Sequence, residues 1–291
     1  MSIEYYNAKS ILSKLKDAPD SYFGITYNMN LYRGCQHACI YCDSRSTVYG
    51  LGDLATIRIK QNALILLEQN LKKRIKKATI GTGSMNDPYM PVELREKLTR
   101  SALEIIARYK YPIHVLTKSN LVTRDLDILQ EISKTFSAVS FTITTLSDSI
   151  AGKIEPFASS SSERLGAMKD THLNNIYTGA LIMPVLPYIT DNKEDIELLI
   201  KNCADNGAQY ILFAPGMTLR DGQREYFYSA LEKRWPGLAK KYQRRFKNQY
   251  SCSTENYKQL WDTFNNTCEK LGVKTKMNFF KENIAVQKKL F

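Results

Sequence analysis

Three of the six cysteines fall in one short run, GCQHACIYC. Cys35, Cys39 and Cys42 have the spacing C-x3-C-x2-C. With cysteine at about 2% of the chain, such a triple arises by accident with a probability on the order of 0.003, so it calls for a chemical explanation. Clustered thiols in a reducing compartment read as metal binding or catalysis. A structural zinc needs four closed ligands, and His37 is the candidate fourth, although it shares the short loop with Cys35 and Cys39. An iron–sulfur cube accepts three thiolates and can leave one iron open to a small chelating molecule. Cys203, Cys252 and Cys268 show no metal spacing and are expected as buried thiols.

The surroundings narrow the choice. C-x3-C-x2-C with Tyr41 just before the third cysteine resembles the radical S-adenosylmethionine (SAM) superfamily. TYNMNLYRGCQHACIYCDSR, GTGSMNDPYMPVE, VLTKSNLVTRDLDIL and IEPFASSSSERLGAM together resemble its spore photoproduct lyase-like branch, over about residues 20–215. The resemblance implies that the three thiolates hold a 4Fe-4S cluster whose open iron binds the amino and carboxylate groups of S-adenosylmethionine. One-electron cleavage then yields a 5′-deoxyadenosyl radical that abstracts hydrogen from a substrate. It also implies a reductant such as a flavodoxin or ferredoxin.

Other positions acquire roles from the same resemblance. Tyr41 would pack by the adenine. The loop after the second barrel strand carries Ser84, Asn86 and Asp87, which can meet the S-adenosylmethionine amino group; read alone, it is a polar turn before Pro88 and Pro91. Lys118 follows the strand HVLT and would pair with the cofactor carboxylate, where an ordinary lysine is solvated. Ser140, Thr142 and Thr144 alternate, so they share a strand face; Thr142 matches the family's hydroxyl position, and Thr144 is a further candidate contact. Arg33, just before the motif, reads either as a screen for the thiolate charge or as a surface arginine. His114 and His172 are expected to be structural. The family's lyases carry a hydrogen-donating cysteine where this chain has Ser84, aligned on Asp87. A serine O–H bond is too strong to replace that thiol, so the literal lyase reaction is not implied.

The elements that must position these residues read as alternating strands and helices. Strands are expected near residues 24–31, 56–60, 78–82, 112–117, 138–144, 177–183 and 209–214. Helices are expected over 62–73, 92–109, 124–134, around 147, and over 162–173 and 194–206. This predicts an α/β fold with a parallel sheet, a partial (β/α)6 TIM-type barrel with functional groups at the C-terminal strand ends. The expected division is an N-terminal helix over residues 1–20, the barrel over 21–218, and a basic, helical extension over 219–291 ending in a helix at 254–271.

Composition bounds the partner. Lys and Arg number 41 against 29 Asp and Glu, a formal charge of +12. Half of that excess lies in residues 220–247, with nine basic and three acidic residues. Arg220, Arg224, Lys240, Lys241, Arg244 and Arg245 alternate there with aromatic residues, a pattern that suits phosphates and stacked bases of DNA or RNA, or an amphipathic cover with aromatics inward. Three functions remain: a radical enzyme acting on nucleic acid, a radical enzyme acting on a peptide or small metabolite, and a non-catalytic iron–sulfur protein that binds nucleic acid. No apolar run approaches the ~18 residues of a membrane helix, and the start, MSIEYYNAKS, lacks a signal-type apolar stretch, so a cytoplasmic protein is expected.

Overall fold

The computed structural model describes residues 2–73 and 76–282. Its elements in chain order are β1 (Ile3–Tyr6), β2 (Leu12–Lys14), β3 (Tyr27–Met29), β4 (Tyr32–Arg33), β5 (Ile57–Lys60), α1 (Ala63–Lys72), β6 (Ile80–Thr82), α2 (Glu93–Glu96) and α3 (Leu98–Arg108). Then come β7 (Ile113–Thr117), α4 (Leu126–Ser133), β8 (Ser137–Thr142), α5 (Asp148–Ile154), α6 (Ser161–Leu173), β9 (Tyr177–Ile182), α7 (Lys193–Asp205) and β10 (Tyr210–Phe213). The last are β11 (Gly216–Thr218), α8 (Gln223–Arg234), α9 (Leu238–Phe246), β12 (Ser251–Ser253) and α10 (Tyr257–Leu271).

Six strands, β3 and β6 to β10, run parallel side by side, with β2 antiparallel at the β3 edge. All six residues of β8 are buried, as expected of a strand covered on both faces. The sheet curls into an open barrel without strand closure between its edges. Side chains and loops fill the gap instead. Ile211 N–H donates to the carbonyl of Lys274 at 2.8 Å, so the chain after α10 runs along the free edge of β10. Phe279 packs into the space at Gly24, where an added Cβ would lie 2.4 Å from its ring, and the Tyr22 hydroxyl donates to the Phe213 carbonyl at 3.1 Å.

Several elements depart from the sequence reading. The described part of residues 1–20 forms two strands and not a helix. The apolar positions of IEYY suit an extended segment, β1 adds to β5 in parallel, and Pro19 would interrupt any helix there. The helix expected over 92–109 is two, broken at Lys97, which is left-handed with φ 51°. There the buried Glu93 carboxylate accepts the Thr99 N–H at 3.0 Å and so caps α3. The extension contains the expected helices and also β12, which pairs antiparallel with β11, just before the extension, with Met217 opposite Cys252. Its final residues, 283–291, lie outside the described residues. Among the described residues no helix is long and apolar enough to cross a membrane.

Alternation along the strands sends His114, Ser140 and Tyr210 into the barrel. Gly179 makes room for the Tyr210 ring, since a Cβ there would lie 2.3 Å from it. His114 Nε2 lies 2.7 Å from Ser140 Oγ, and Ser140 Oγ lies 2.6 Å from the Tyr210 hydroxyl. Burial lowers the His114 pKa to about 4, although the Phe23 carbonyl at its Nδ1 works in the opposite direction. The fold therefore holds the neutral ring, while the unfolded chain takes up a proton near pH ~6.5. Stability is complete above that pH and is lost as the pH falls towards about 4, by about 3 kcal/mol in all. In urea titrations at stepped pH, His114→Gln should lose this part of the slope; equal slopes in variant and wild type would contradict the assignment.

Candidate active site

The C-terminal ends of the parallel strands open into a cavity of about 740 Å³. One wall is the cysteine loop, where Cys39, Tyr41 and Cys42 line the cavity. The opposite strand ends contribute Ser84 after β6, Lys118 after β7, Thr142 at the end of β8 and Leu181 on β9. Gly83 lets the Ser84 loop pass close to β7: its φ is +91°, and a Cβ would sit 2.2 Å from the Leu116 carbonyl oxygen.

Behind this surface lies a layer of buried charge. Asp87 accepts from Thr117 Oγ1 at 2.7 Å, the Lys118 N–H at 2.7 Å and the Tyr89 N–H at 2.9 Å, and His37 Nδ1 is 3.4 Å away. Burial would raise the Asp87 pKa, but His37 and these donors more than offset it and bring it to about 2. Asp87 is thus a buried support that fixes the Lys118 turn, and Asn86, donating to the Tyr32 carbonyl, is another. Neither faces the cavity, contrary to expectation. The reason is that both carry their polar atoms inward to satisfy the backbone of neighbouring strands. Ser84 does face it, bonded to Asn28 Oδ1 at 2.9 Å. Thr144 is buried beyond the end of β8, away from the cavity, and its hydroxyl has no partner.

Sequence reasoning missed Glu155 and Arg164. They form a fully buried ion pair at 2.5 Å, and the Tyr41 hydroxyl donates to Glu155. Arg164 also donates to the carbonyls of Thr142 and Ser159, each at 2.8 Å. The available signal was that Arg164 lies on the inward stripe of α6 with Ser161, Ala167 and Met168, an unusual place for an arginine. Gln223 is a second omission: its amide donates to the Tyr41 and Thr218 carbonyls, each at 2.8 Å, and ties the extension to the cysteine loop.

The thiols test whether an iron–sulfur cluster fits. Burial, Asp87 and Cys42 push the Cys35 thiol up to about 11. Burial also pushes Cys39 up, with Glu155 and the other two thiols adding to it and Lys118 opposing. Thiols held back from ionising, as Cys35 and Cys39 are, suit a multiply charged cation, which ionises its ligands as it binds. Among the described residues no three His, Cys, Asp or Glu side chains already stand at metal-ligand spacing, so loading would draw the loop together. The donor set, one loop of three sulfurs beside a cavity, fits a cluster better than a closed four-ligand zinc site.

Residues 29–202 match the family model of the radical SAM superfamily. The chain belongs to that superfamily, whose enzymes use a 4Fe-4S cluster and S-adenosylmethionine. It is 33% identical over 195 residues to the uncharacterized protein MJ0683 of Methanocaldococcus jannaschii, which covers 64% of this chain and 71% of that one. It is 23% identical over 178 residues to the radical SAM Nalpha-GlyT isomerase of Pseudomonas phage M6, covering 61% of this chain and 36% of the isomerase. Its fold is similar to spore photoproduct lyase with bound AdoMet and dinucleoside spore photoproduct, with a TM-score of 0.65 and 18% identity over 92% of this chain and 79% of the lyase.

The basic segment divides in two. Arg224 is buried, and its guanidinium is used up by the carbonyls of Leu219, Lys247, Asn248 and Gln249; it joins loops and is not available to a phosphate. Phe227, Tyr242 and Phe246 are core residues, so these aromatics form an inward face, while Tyr226 is exposed. Arg220 sits at the rim between Tyr49, Asp43 and Tyr250. Lys240, Lys241, Arg244 and Arg245 line a separate groove with Tyr188 and Glu255.

Anaerobic reconstitution should load about four irons and four sulfides, with broad absorption near ~400 nm. Cys35→Ala, Cys39→Ala and Cys42→Ala should each abolish it. Stoichiometric zinc with no uptake of iron would contradict this assignment.

Proposed function

We propose that Cys35, Cys39 and Cys42 hold the cluster and that S-adenosylmethionine occupies the cavity above them, with its carboxylate on Lys118. The observation that carries this reading is the state of Lys118. Its side chain reaches into the cavity, with Nζ 5.9 Å from the centre of the Tyr41 ring, and it makes no ion pair with any described residue. Burial disfavours its charge, yet Cys39, Glu155 and Asp87 more than offset this and hold its pKa above the ordinary lysine range. A cation in a half-closed cavity that Cys39, Cys42 and Thr142 also line is a site for an anionic group. When bound, the cofactors supply reductive cleavage to a 5′-deoxyadenosyl radical that removes hydrogen from a substrate. The chain aims that substrate and excludes water from it.

The substrate favoured is a nucleic acid or one of its nucleotides. Phe213, Trp261 and Tyr257 form an aromatic wall on the far side of the cavity, with ring centres 5.3 Å apart for the first pair and 6.4 Å for the second. Such a wall stacks planar bases. The basic groove lies just across β12: Arg245 donates to the Ser253 carbonyl at 3.0 Å, and Ser253 lines the cavity. The likeness to spore photoproduct lyase supports the same reading. No cysteine other than Cys39 and Cys42 lines the cavity among the described residues, which supports a modifying or isomerising reaction over one that needs a thiol hydrogen donor. The reductant would be a flavodoxin or ferredoxin, and the setting the cytoplasm.

Lys118→Ala should weaken S-adenosylmethionine binding by about 1.5–3 kcal/mol, roughly 10- to 100-fold, at unchanged iron content. Unchanged affinity would show that the carboxylate is held elsewhere. Separately, replacing Lys240, Lys241 and Arg244 with Gln should lower the log–log salt slope of single-stranded DNA or RNA binding by about 2. Wild-type protein with no salt-sensitive binding would instead favour a peptide or small metabolite as substrate.

A further inference from the structure

The segment from Ile154 to Arg164 touches the cysteine loop, the Lys118 turn and the end of β8. The Ile154 carbonyl accepts the Ile40 N–H at 2.9 Å, and Phe157 N–H donates to the His37 carbonyl at 3.3 Å, so the segment grips the cysteine loop. Ser159 N–H donates to the Lys118 carbonyl at 3.1 Å. Arg164 holds the Thr142 carbonyl at the end of β8. In the middle stands the Glu155–Arg164 pair, with 1% and 0% of each residue exposed. Glu155 also takes the hydroxyl of Tyr41, the residue between two of the cluster thiols.

Burying an ion pair returns little stability, and replacing both partners with apolar groups of similar volume is often neutral or stabilising. A pair so placed therefore needs a purpose other than stability. We propose that Glu155 and Arg164 are positioning residues for S-adenosylmethionine, locking the cysteine loop, the Lys118 turn and the end of β8 into one spatial register. Glu155 engages Arg164 and Tyr41 together, and Lys118 is left as the cation facing the cavity. Without the carboxylate, Tyr41 loses its anchor and the loop bearing Cys39 and Cys42 can turn relative to Lys118. The two contacts that the cofactor must make at once, to an iron and to the ammonium, would then no longer be held at a fixed separation. This inference rests on the reading of the cavity as the cofactor site.

The test uses reconstituted holoenzyme and S-adenosylmethionine itself. Two variants are compared with wild type: Tyr41→Phe, and the double replacement Glu155→Leu with Arg164→Met. Three quantities are read: the thermal midpoint of unfolding, the dissociation constant for S-adenosylmethionine by equilibrium dialysis, and the change in the electron paramagnetic resonance spectrum of the reduced cluster on adding it. Both variants should keep wild-type iron content and a near wild-type midpoint. The double variant should bind the cofactor 10- to 100-fold more weakly, the usual effect of removing a supporting partner behind a metal site, and Tyr41→Phe several-fold more weakly, each with an altered spectral response. Wild-type affinity and spectra in the double variant would overturn the proposal. So would failure of the double variant to fold, which would make the pair a structural element. Lys118→Ala separates this from the underlying reading. If it alone weakens binding, the positioning role falls and the cofactor site stands; if it leaves binding unchanged, the site itself is misassigned.

Discussion

Charge that cannot reach water governs this molecule. Three thiols, one lysine, two carboxylates, an arginine and a histidine are gathered at one end of an open barrel, most of them buried. Charges so placed are tolerable only when each has a counterpart. Asp87 has His37 and three donors, and Glu155 has Arg164 and Tyr41. Lys118 forms no ion pair with any described residue, although Cys39, Glu155 and Asp87 favour its charged form. In the reading proposed above, a cation cluster would answer the sulfurs and an anion the ammonium, and the two cofactors of the superfamily would supply both.

The barrel makes this gathering possible. Parallel strands deliver Ser84, Lys118 and Thr142 to one rim from three separate stretches of sequence. β10 and β2 do not pair, and the layer of His114, Ser140 and Tyr210 fills part of the interior. The extension completes the cavity. Gln223 joins it to the cysteine loop, and Trp261 and Tyr257 of α10 form the far wall. The C-terminal region is thus a structural member of the cavity as well as a carrier of positive charge.

Much of this was legible in the sequence because it depended on local periodicity or on rare residues. The cysteine motif and its neighbours carried the resemblance to the superfamily, and the βα alternation pointed to six parallel strands. What was not legible depended on partners remote in sequence. Residues 1–20 look neutral between helix and strand until β5 offers an edge to pair with. The segment 220–247 reads equally as a stacking surface and as an amphipathic cover. Packing decided for the cover at Phe227, Tyr242 and Phe246, leaving only part of the basic set exposed. Asp87 and Asn86 have the residue types of ligand contacts, and only the fold shows their polar atoms turned to the backbone. Glu155 and Arg164 are nine positions apart in a segment that carries the family resemblance, but their pairing appears only when the fold brings Tyr41 and Thr142 beside them.

The central claim is that this cavity brings S-adenosylmethionine onto an iron–sulfur cluster and breaks it reductively. It is tested most directly by incubating the anaerobically reconstituted protein with dithionite and S-adenosylmethionine and quantifying the products by mass spectrometry. The account predicts 5′-deoxyadenosine and methionine in equal amounts, formed slowly without substrate and absent from Cys39→Ala. A protein carrying its full complement of iron and sulfide that leaves S-adenosylmethionine intact would contradict it.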